Sequence, residues 1–392
     1  MLCIHHGTVL PMAGGTFTRI PDGRVYVEGT RIVAVGDKNL DAPSGRSAKD
    51  ITWIDAKDGI IMPGIIEAHC HMGITEEKKG MEGDDCNESV NPITPQLRAI
   101  DAINPMDAAF GDAVRAGITC AMIGPGSSNV VGGQFAIVKT HGRCIDEMVV
   151  KAPAAMKVAF GENPKVNFSG MGKSPSTRMA IAAMLREELF TAKKYWEQKQ
   201  KNGYKDSFEE DFTKECWLPV LRREIPLKAH VHRADDILTA IRIAKEFDLD
   251  MTLDHCSEGH IIAGWVARSG FPAILGPDLA SRSKIEVQNM AFKTAGVLSE
   301  AGVKLAITTD HPVSLIQSLP LCAGLAHKAG LPIEEAYKAI TIYPAQILGV
   351  AHRIGSLEPG KDADIAVFSK NPMETFTQTL YTIIDGRIVY PE

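Results

Sequence analysis

Pro63-Gly64-Ile65-Ile66-Glu67-Ala68-His69-Cys70-His71 is the stretch on which the reading of this 392-residue chain turns. It continues an apolar run, and Ile60–His69 is predicted as one strand. Side chains along a strand alternate with period two, so His69 and His71 point to the same side. Cys70 between them is expected to face the packing behind the strand. Two imidazoles at one strand end can bind a single divalent cation. Taken alone, the pair also fits two core or surface histidines.

The pattern recurs downstream. Leu227-Lys228-Ala229-His230-Val231-His232 repeats the spacing, Leu249–Leu253 leads into Asp254-His255, and Lys304–Thr309 leads into Asp310-His311. Each follows an apolar strand and precedes a loop or helix. Strand candidates Ile60–His69, Ile118–Ile123, Met156–Phe160, Leu227–His232, Met251–His255, Ala273–Leu275 and Lys304–Thr308 alternate with helical stretches such as Ala234–Phe247 and Gln288–Ala301. With a less distinct strand near Phe135–Lys139 they fit an α/β architecture, an eight-stranded (β/α)8 TIM barrel, better than an open sheet. In such a barrel the strand ends converge, so the histidines and Asp310 meet at one mouth.

Outside 58–354 the texture is all-β. Short strands at Gly7–Leu10, Arg24–Val27 and Arg31–Val35 fill residues 1–57, and Ala363–Phe368, Leu380–Ile384 and Arg387–Tyr390 fill 355–392. The two ends are expected to meet as a small β-sandwich domain beside the barrel. The long charged helix Arg178–Gln200, ending near Asn202-Gly203 in the 174–224 insertion, reads either as a cover over the barrel mouth or as a solvated helix.

These pieces resemble the amidohydrolase superfamily, in its imidazolonepropionase-like, metal-dependent branch. The resemblance rests on Pro63–His71, the strand-end His230 and His255, Thr308-Thr309-Asp310-His311-Pro312, and the tail Gly355-Ser356-Leu357-Glu358-Pro359-Gly360-Lys361-Asp362-Ala363-Asp364-Ile365. It spans nearly the whole chain and is specific for the superfamily, not for a substrate. It implies one or two divalent ions, zinc first, with manganese, iron or cobalt compatible with the same donors. It further implies His69, His71, His230 and His255 as ligands, with His255 or His230 contacting substrate instead in single-metal members. Asp310 would be the general base and a ligand. Two-metal members also need a bridging carboxylated lysine or glutamate from a middle strand. Glu162 is preferred if that strand is Met156–Phe160, because Lys157 would then lie near its far end. Neither residue is the third option, and Lys139 is a weaker one.

The implied chemistry is hydrolysis of an amide or cyclic amide of peptide, lactam, hydantoin or imidazolone type. Deamination of a heterocyclic amine is the alternative, and a metal-free scaffold conflicts with the complete ligand set. His232, His260 and Arg282 are candidate substrate contacts. Arg233 and Lys284 also follow strand ends, where surface ion pairing is the plainer reading.

Composition agrees. The 42 basic and 48 acidic residues give a net charge of −6, without the basic excess of a nucleic-acid binder. No apolar run approaches the ~20 residues of a membrane span. The eight scattered cysteines form no CxxC pair and read as reduced thiols. The start lacks a signal-peptide pattern. The expectation is a cytoplasmic homo-oligomer acting on a small molecule, with no nucleic-acid or membrane partner.

Overall fold

The computed structural model of the protein describes residues 1–43, 48–77, 80–202 and 208–391. Gly203, just past the long helix, and Glu392 lie outside them. Five strands come first: β1 (Leu2–Val9), β2 (Ile20–Glu28), β3 (Arg31–Gly36), β4 (Thr52–Asp55) and β5 (Ile60–Pro63). Eight follow: β6 (Ile65–Cys70), β7 (Ile118–Ile123), β8 (Val131–Lys139), β9 (Val149–Ala159), β10 (Leu227–Val231), β11 (Met251–His255), β12 (Ala273–Leu275) and β13 (Leu305–Ile307). The last three are β14 (Ile365–Phe368), β15 (Thr379–Ile384) and β16 (Arg387–Tyr390).

Strands β6 to β13 are hydrogen-bonded in chain order as one eight-stranded sheet that curls into a nearly closed barrel. The less distinct strand is real and longer than read, but β8 runs antiparallel to both β7 and β9. The link between β7 and β8, residues 124–130, is far shorter than the dozen or more residues that a parallel crossover needs. The remaining neighbours are parallel. At the seam between β13 and β6 no strand ladder forms. His71 N–H donates to His311 O at 2.8 Å, and the buried Glu67 carboxylate accepts from Thr308 Oγ1, from Thr309 N–H at 2.9 Å and from Thr309 Oγ1 at 2.7 Å. Side chains thus stitch shut the gap beside which the first and last site residues stand.

Ile60–His69, read as one strand, is two strands in two sheets. Gly64 is the break. A Cβ there would lie 2.1 Å from Thr119 Oγ1, so only glycine lets β6 approach β7 this closely. β5 pairs instead with β1 and β14. The chain termini therefore meet, as expected, but the pairing is that of one mixed sheet in the order β16-β15-β14-β5-β1-β2-β3, with β4 on β1. Its core is built from Ile4, Val25, Ile32, Ile61, Ile365, Val367 and Ile383.

Lys139 clasps this sheet to the barrel. Its buried ammonium lies 2.6 Å from Asp364, 3.0 Å from Asp362 and 3.2 Å from Asp385. That is the physical reason for the Asp362-Ala363-Asp364 tail, and it removes Lys139 from the candidate site. The helix Arg178–Asn202 buries Ile181, Leu185, Leu189, Ala192 and Tyr195, one stripe at helical spacing. Arg178 pairs with Asp236 at 3.0 Å and Arg186 with Glu246 at 2.8 Å, so the helix lies along the outside of the barrel. It does not cover the mouth.

Candidate metal centre and active site

Five strand ends deliver the site. Glu67, His69 and His71 share the inward face of β6 and its continuation, and Lys228, His230 and His232 share that of β10. Lys157 stands near the end of β9. His255 ends β11 with φ of 68°, and Asp310 follows β13 with φ of 52°. In this left-handed region the backbone reverses the strand's alternation, so Asp254 and His255, although consecutive, both face the axis. Non-glycine residues held there carry strain of order ~1–3 kcal/mol, a cost typical of functional positions.

The groups converge closely. Asp310 Oδ1 lies 3.2 Å from His71 Nε2 and 3.5 Å from His69 Nε2, and Oδ2 lies 3.9 Å from His255 Nδ1. One ligand atom each from His69, His255 and Asp310 falls within 4.8 Å of the others, and a second such trio is His230, His232 and His255. The rings of His69, His230 and His232 stand 4.6–5.1 Å from that of His255, centroid to centroid.

The outer nitrogens are already engaged. His69 Nδ1–H donates to Asp254 Oδ2 at 2.8 Å, His71 Nδ1–H to Gly124 O at 2.7 Å, and His255 Nδ1–H to Gly276 O at 2.7 Å. Such bonds fix the tautomer and turn Nε2 toward the common centre. Asp254 is itself held by Lys228 at 3.1 Å and Thr252 Oγ1 at 2.8 Å. Asp310 Oδ1 is buried and makes no hydrogen bond of good geometry. A buried carboxylate oxygen facing imidazole nitrogens without bonding them is the arrangement expected around a cation. The donor set therefore fits a divalent metal.

Electrostatics agree. Burial pushes His69, His230, His232 and His255 well below the usual imidazole value, so they are neutral, as ligands must be. Burial also disfavours charge on His71, but Cys86 and Asp310 outweigh it and push its pKa up to about 10, a proton a bound cation would displace. Burial raises Asp310, yet His255 and His71 more than offset this and hold the carboxyl below its ordinary value.

Glu162 is not brought to this group. It opens the helix Glu162–Gly170, and its Oε2 accepts Glu286 N–H at 3.3 Å. Lys157 is there instead, its buried Nζ 3.4 Å from His69 Nε2. Burial above all lowers its pKa to about 8. The sequence reading started this strand at Met156, whereas β9 begins at Val149, because Ala152-Pro153-Ala154-Ala155 carries no strand signature. His260 and Arg282 also fall away: His260 Nδ1 pairs with Thr294 Oγ1 at 3.0 Å, and Arg282 reaches Met290 O at 3.0 Å. Arg233 pairs with Asp235 at 2.9 Å. His232 is gathered, with Nδ1 2.8 Å from Ser257 Oγ.

The profile of the Amidohydrolase family matches residues 60–389. The chain belongs to the amidohydrolase family. It is thus an enzyme of the class that hydrolyses carbon–nitrogen bonds, in a metal-dependent family whose His/Asp cluster it carries. A crystal structure of an amidohydrolase from Thermotoga maritima superposes with a TM-score of 0.93, is 37% identical, and is covered 100% in both directions. Amidohydrolase tasK from Hapsidospora irregularis is 27% identical over 93% of this chain, which spans 39% of that relative's length. Imidazolonepropionase from Pseudomonas fluorescens is 24% identical over 93% of this amidohydrolase and 91% of the relative. No helix among the described residues is long and apolar enough to cross a membrane.

Proposed function

We propose that this protein hydrolyses the C–N bond of an amide or cyclic amide at the His69–His71–His255–Asp310 cluster. The observation that carries the reading is the unbonded Asp310 Oδ1 facing the Nε2 atoms of His69 and His71 at 3.5 and 3.2 Å. His69, His71 and Asp310 would hold one divalent ion, zinc by preference, and His230 and His255 would hold a second or orient the substrate. Lys157 replaces Glu162 as candidate for the bridging group: its neutral amine adds carbon dioxide, forming a carbamate and releasing a proton. A divalent ion bound there supplies Lewis acidity and a water nucleophilic at neutral pH.

The protein's own groups do the rest. Asp310, ionised and next to the reacting centre, takes the proton from water and returns it to the departing nitrogen. His232, whose Nδ1 can accept from the Ser257 hydroxyl and so leave the proton on Nε2, donates to the carbonyl oxygen as negative charge develops on it.

Protein reconstituted with zinc, manganese, iron or cobalt is to be screened against N-acyl amino acids, dipeptides, lactams and cyclic ureas. The expected result is a new carboxylate together with an amine. Ammonia released from a heterocyclic amine with its ring intact would instead assign a deaminase. Asp310→Asn is expected to fold with an unchanged thermal midpoint and to lose about 10²–10⁴-fold in turnover. Near-wild-type turnover would remove Asp310 from this role.

A further inference from the structure

A cavity of about 470 Å³ opens over His71, His230, His232 and Asp310. Among the described residues, Lys284 is the only lysine or arginine in its lining. The ammonium is fixed, with Nζ 2.5 Å from Glu286 Oε1 and donating to Asn163 Oδ1 at 2.7 Å. Glu286 is buried, and the same Oε1 stands 3.6 Å from His230 Nε2 and 3.8 Å from His232 Nε2. Lys284 is therefore one carboxylate oxygen removed from the two imidazoles. An ammonium has three N–H groups, and these two partners leave one for a ligand.

The polar chain continues from there. Asn163 Nδ2 donates to Ser127 Oγ at 2.7 Å, which leaves the hydroxyl hydrogen to donate. Ser128 N–H donates to Asn87 Oδ1 at 3.0 Å, which uses the acceptor of Asn87 and leaves its amide N–H groups. Lys284, Ser127 and Asn87 all line the cavity with donors to spare. Asp84, also in the lining, accepts Cys86 N–H at 3.4 Å. The apolar lining comprises Pro277, Ala280, Val287, Met290, Pro312 and Val313.

A row of spare donors ending in an ammonium fits a group that only accepts, and an ionised carboxylate is that group. We propose that Lys284 anchors a free carboxylate of the substrate, so that the amide hydrolysed here carries a carboxylate near the scissile bond and an apolar side chain. This rests on the reading of the site as an amide hydrolase. The Lys284–Glu286 pair is neutral overall, so selection comes from directed N–H groups at short range rather than from a long-range field. Glu286 makes the ammonium affordable in a largely buried place and aims it.

The test is equilibrium binding of N-acetyl-L-leucine and of its neutral counterpart N-acetyl-L-leucinamide to metal-loaded protein. Asp310→Asn serves as background so that turnover does not intrude. The acid is expected to bind at least about tenfold more tightly than the amide, the weight of one charge-assisted hydrogen bond. Lys284→Met should erase the difference by weakening the acid alone, and Lys284→Arg should keep most of it. Metal content and thermal midpoint control for folding in all three. Equal binding of both probes, or a preference that survives Lys284→Met, overturns the inference. Hydrolysis of uncharged amides by wild-type protein would then still leave the functional reading standing. Protein that holds no metal and cleaves nothing sinks that reading first.

Discussion

Asp254→Asn separates what aims a ligand from what holds the barrel together. The carboxylate accepts from His69 at 2.8 Å and Lys228 at 3.1 Å, and all three side chains are buried. The amide keeps the shape. It can turn its oxygen to His69 and its nitrogen to Thr252 Oγ1, but the charge is gone. Charge-assisted hydrogen bonds contribute about 1.5–3 kcal/mol and neutral ones about 0.5–1.5, so His69 loses roughly 1–1.5 kcal/mol of orientation and basicity. That converts to about tenfold in zinc affinity, the lower edge of what such supporting groups typically contribute. Lys228 meanwhile loses its counter-charge in the interior, where burial already depresses its pKa. Breaking a buried pair costs about 3–5 kcal/mol. Asp254→Asn/Lys228→Met restores neutrality. The double variant is therefore expected to recover most of the stability but none of the zinc affinity. Chelator competition reads the affinity, and denaturant midpoints read the stability. If the double variant binds zinc like wild type, orientation of His69 by Asp254 is not what tunes the site.

Glu67→Gln removes an acceptor from the seam, and leaving a buried donor unpaired is expected to cost about 1–3 kcal/mol and to lower turnover with metal content intact; unchanged turnover and stability would show that the seam is closed by other contacts. Lys139→Met strands Asp364 without its cation and should lower the unfolding free energy by about 3–5 kcal/mol. Burial raises Asp362, but Lys139 and Arg353 outweigh it and hold the carboxyl below its ordinary value of 3.8. The stability Asp362 contributes is then present above that pH and lost as pH falls through the lower folded value, whereas burial raises Asp364 even beside Lys139 and raises it further without that cation, so the gap between wild type and Lys139→Met should begin to narrow above about pH 4 as pH falls. A gap that stays constant as pH falls would refute this. Lys157→Met is expected to bind at most one ion per chain by elemental analysis, and to lose the ¹³C-bicarbonate-derived carbamate signal expected of wild type; two ions in that variant would exclude the bridging role.

Much of the site was legible because period two is a rigid geometric rule. Once His69 and His71 are placed, Glu67 lies on the same face, and His230 and His232 carry Lys228 with them. Both buried charges could have been read from the same alternation. Asp254 could not, because alternation sets it opposite His255, and only the positive φ at His255 turns both inward. Lys157 was hidden by a strand that carries Pro153 among alanines at its middle, residues that enter β9 through pairing with β8 rather than by propensity. The choice of Lys284 over Arg282 belongs to a loop with no period to count. The direction of β8 followed from the length of its connection, a signal available in the glycine-rich 124–130 segment but outweighed by the expectation of uniform β/α alternation.

The buried charges are interleaved, and this bears on how the protein tolerates them. Glu67, Asp254 and Asp310 are balanced in part by Lys157 and Lys228, all within one barrel interior where the effective dielectric is low. A first divalent ion adds two positive charges to this set. Turning Lys157 from an ammonium into a carbamate removes one positive charge and adds one negative, a change of two units that offsets one ion. Loading a second ion and carboxylating Lys157 are thus electrostatically complementary, and each should favour the other. Glu162, with its charge already committed to the Glu286 backbone, could not supply that compensation, because a permanent carboxylate in its place would weigh on the metal-free barrel as well. A carboxylated Lys157 would bring its negative charge together with the metal that balances it.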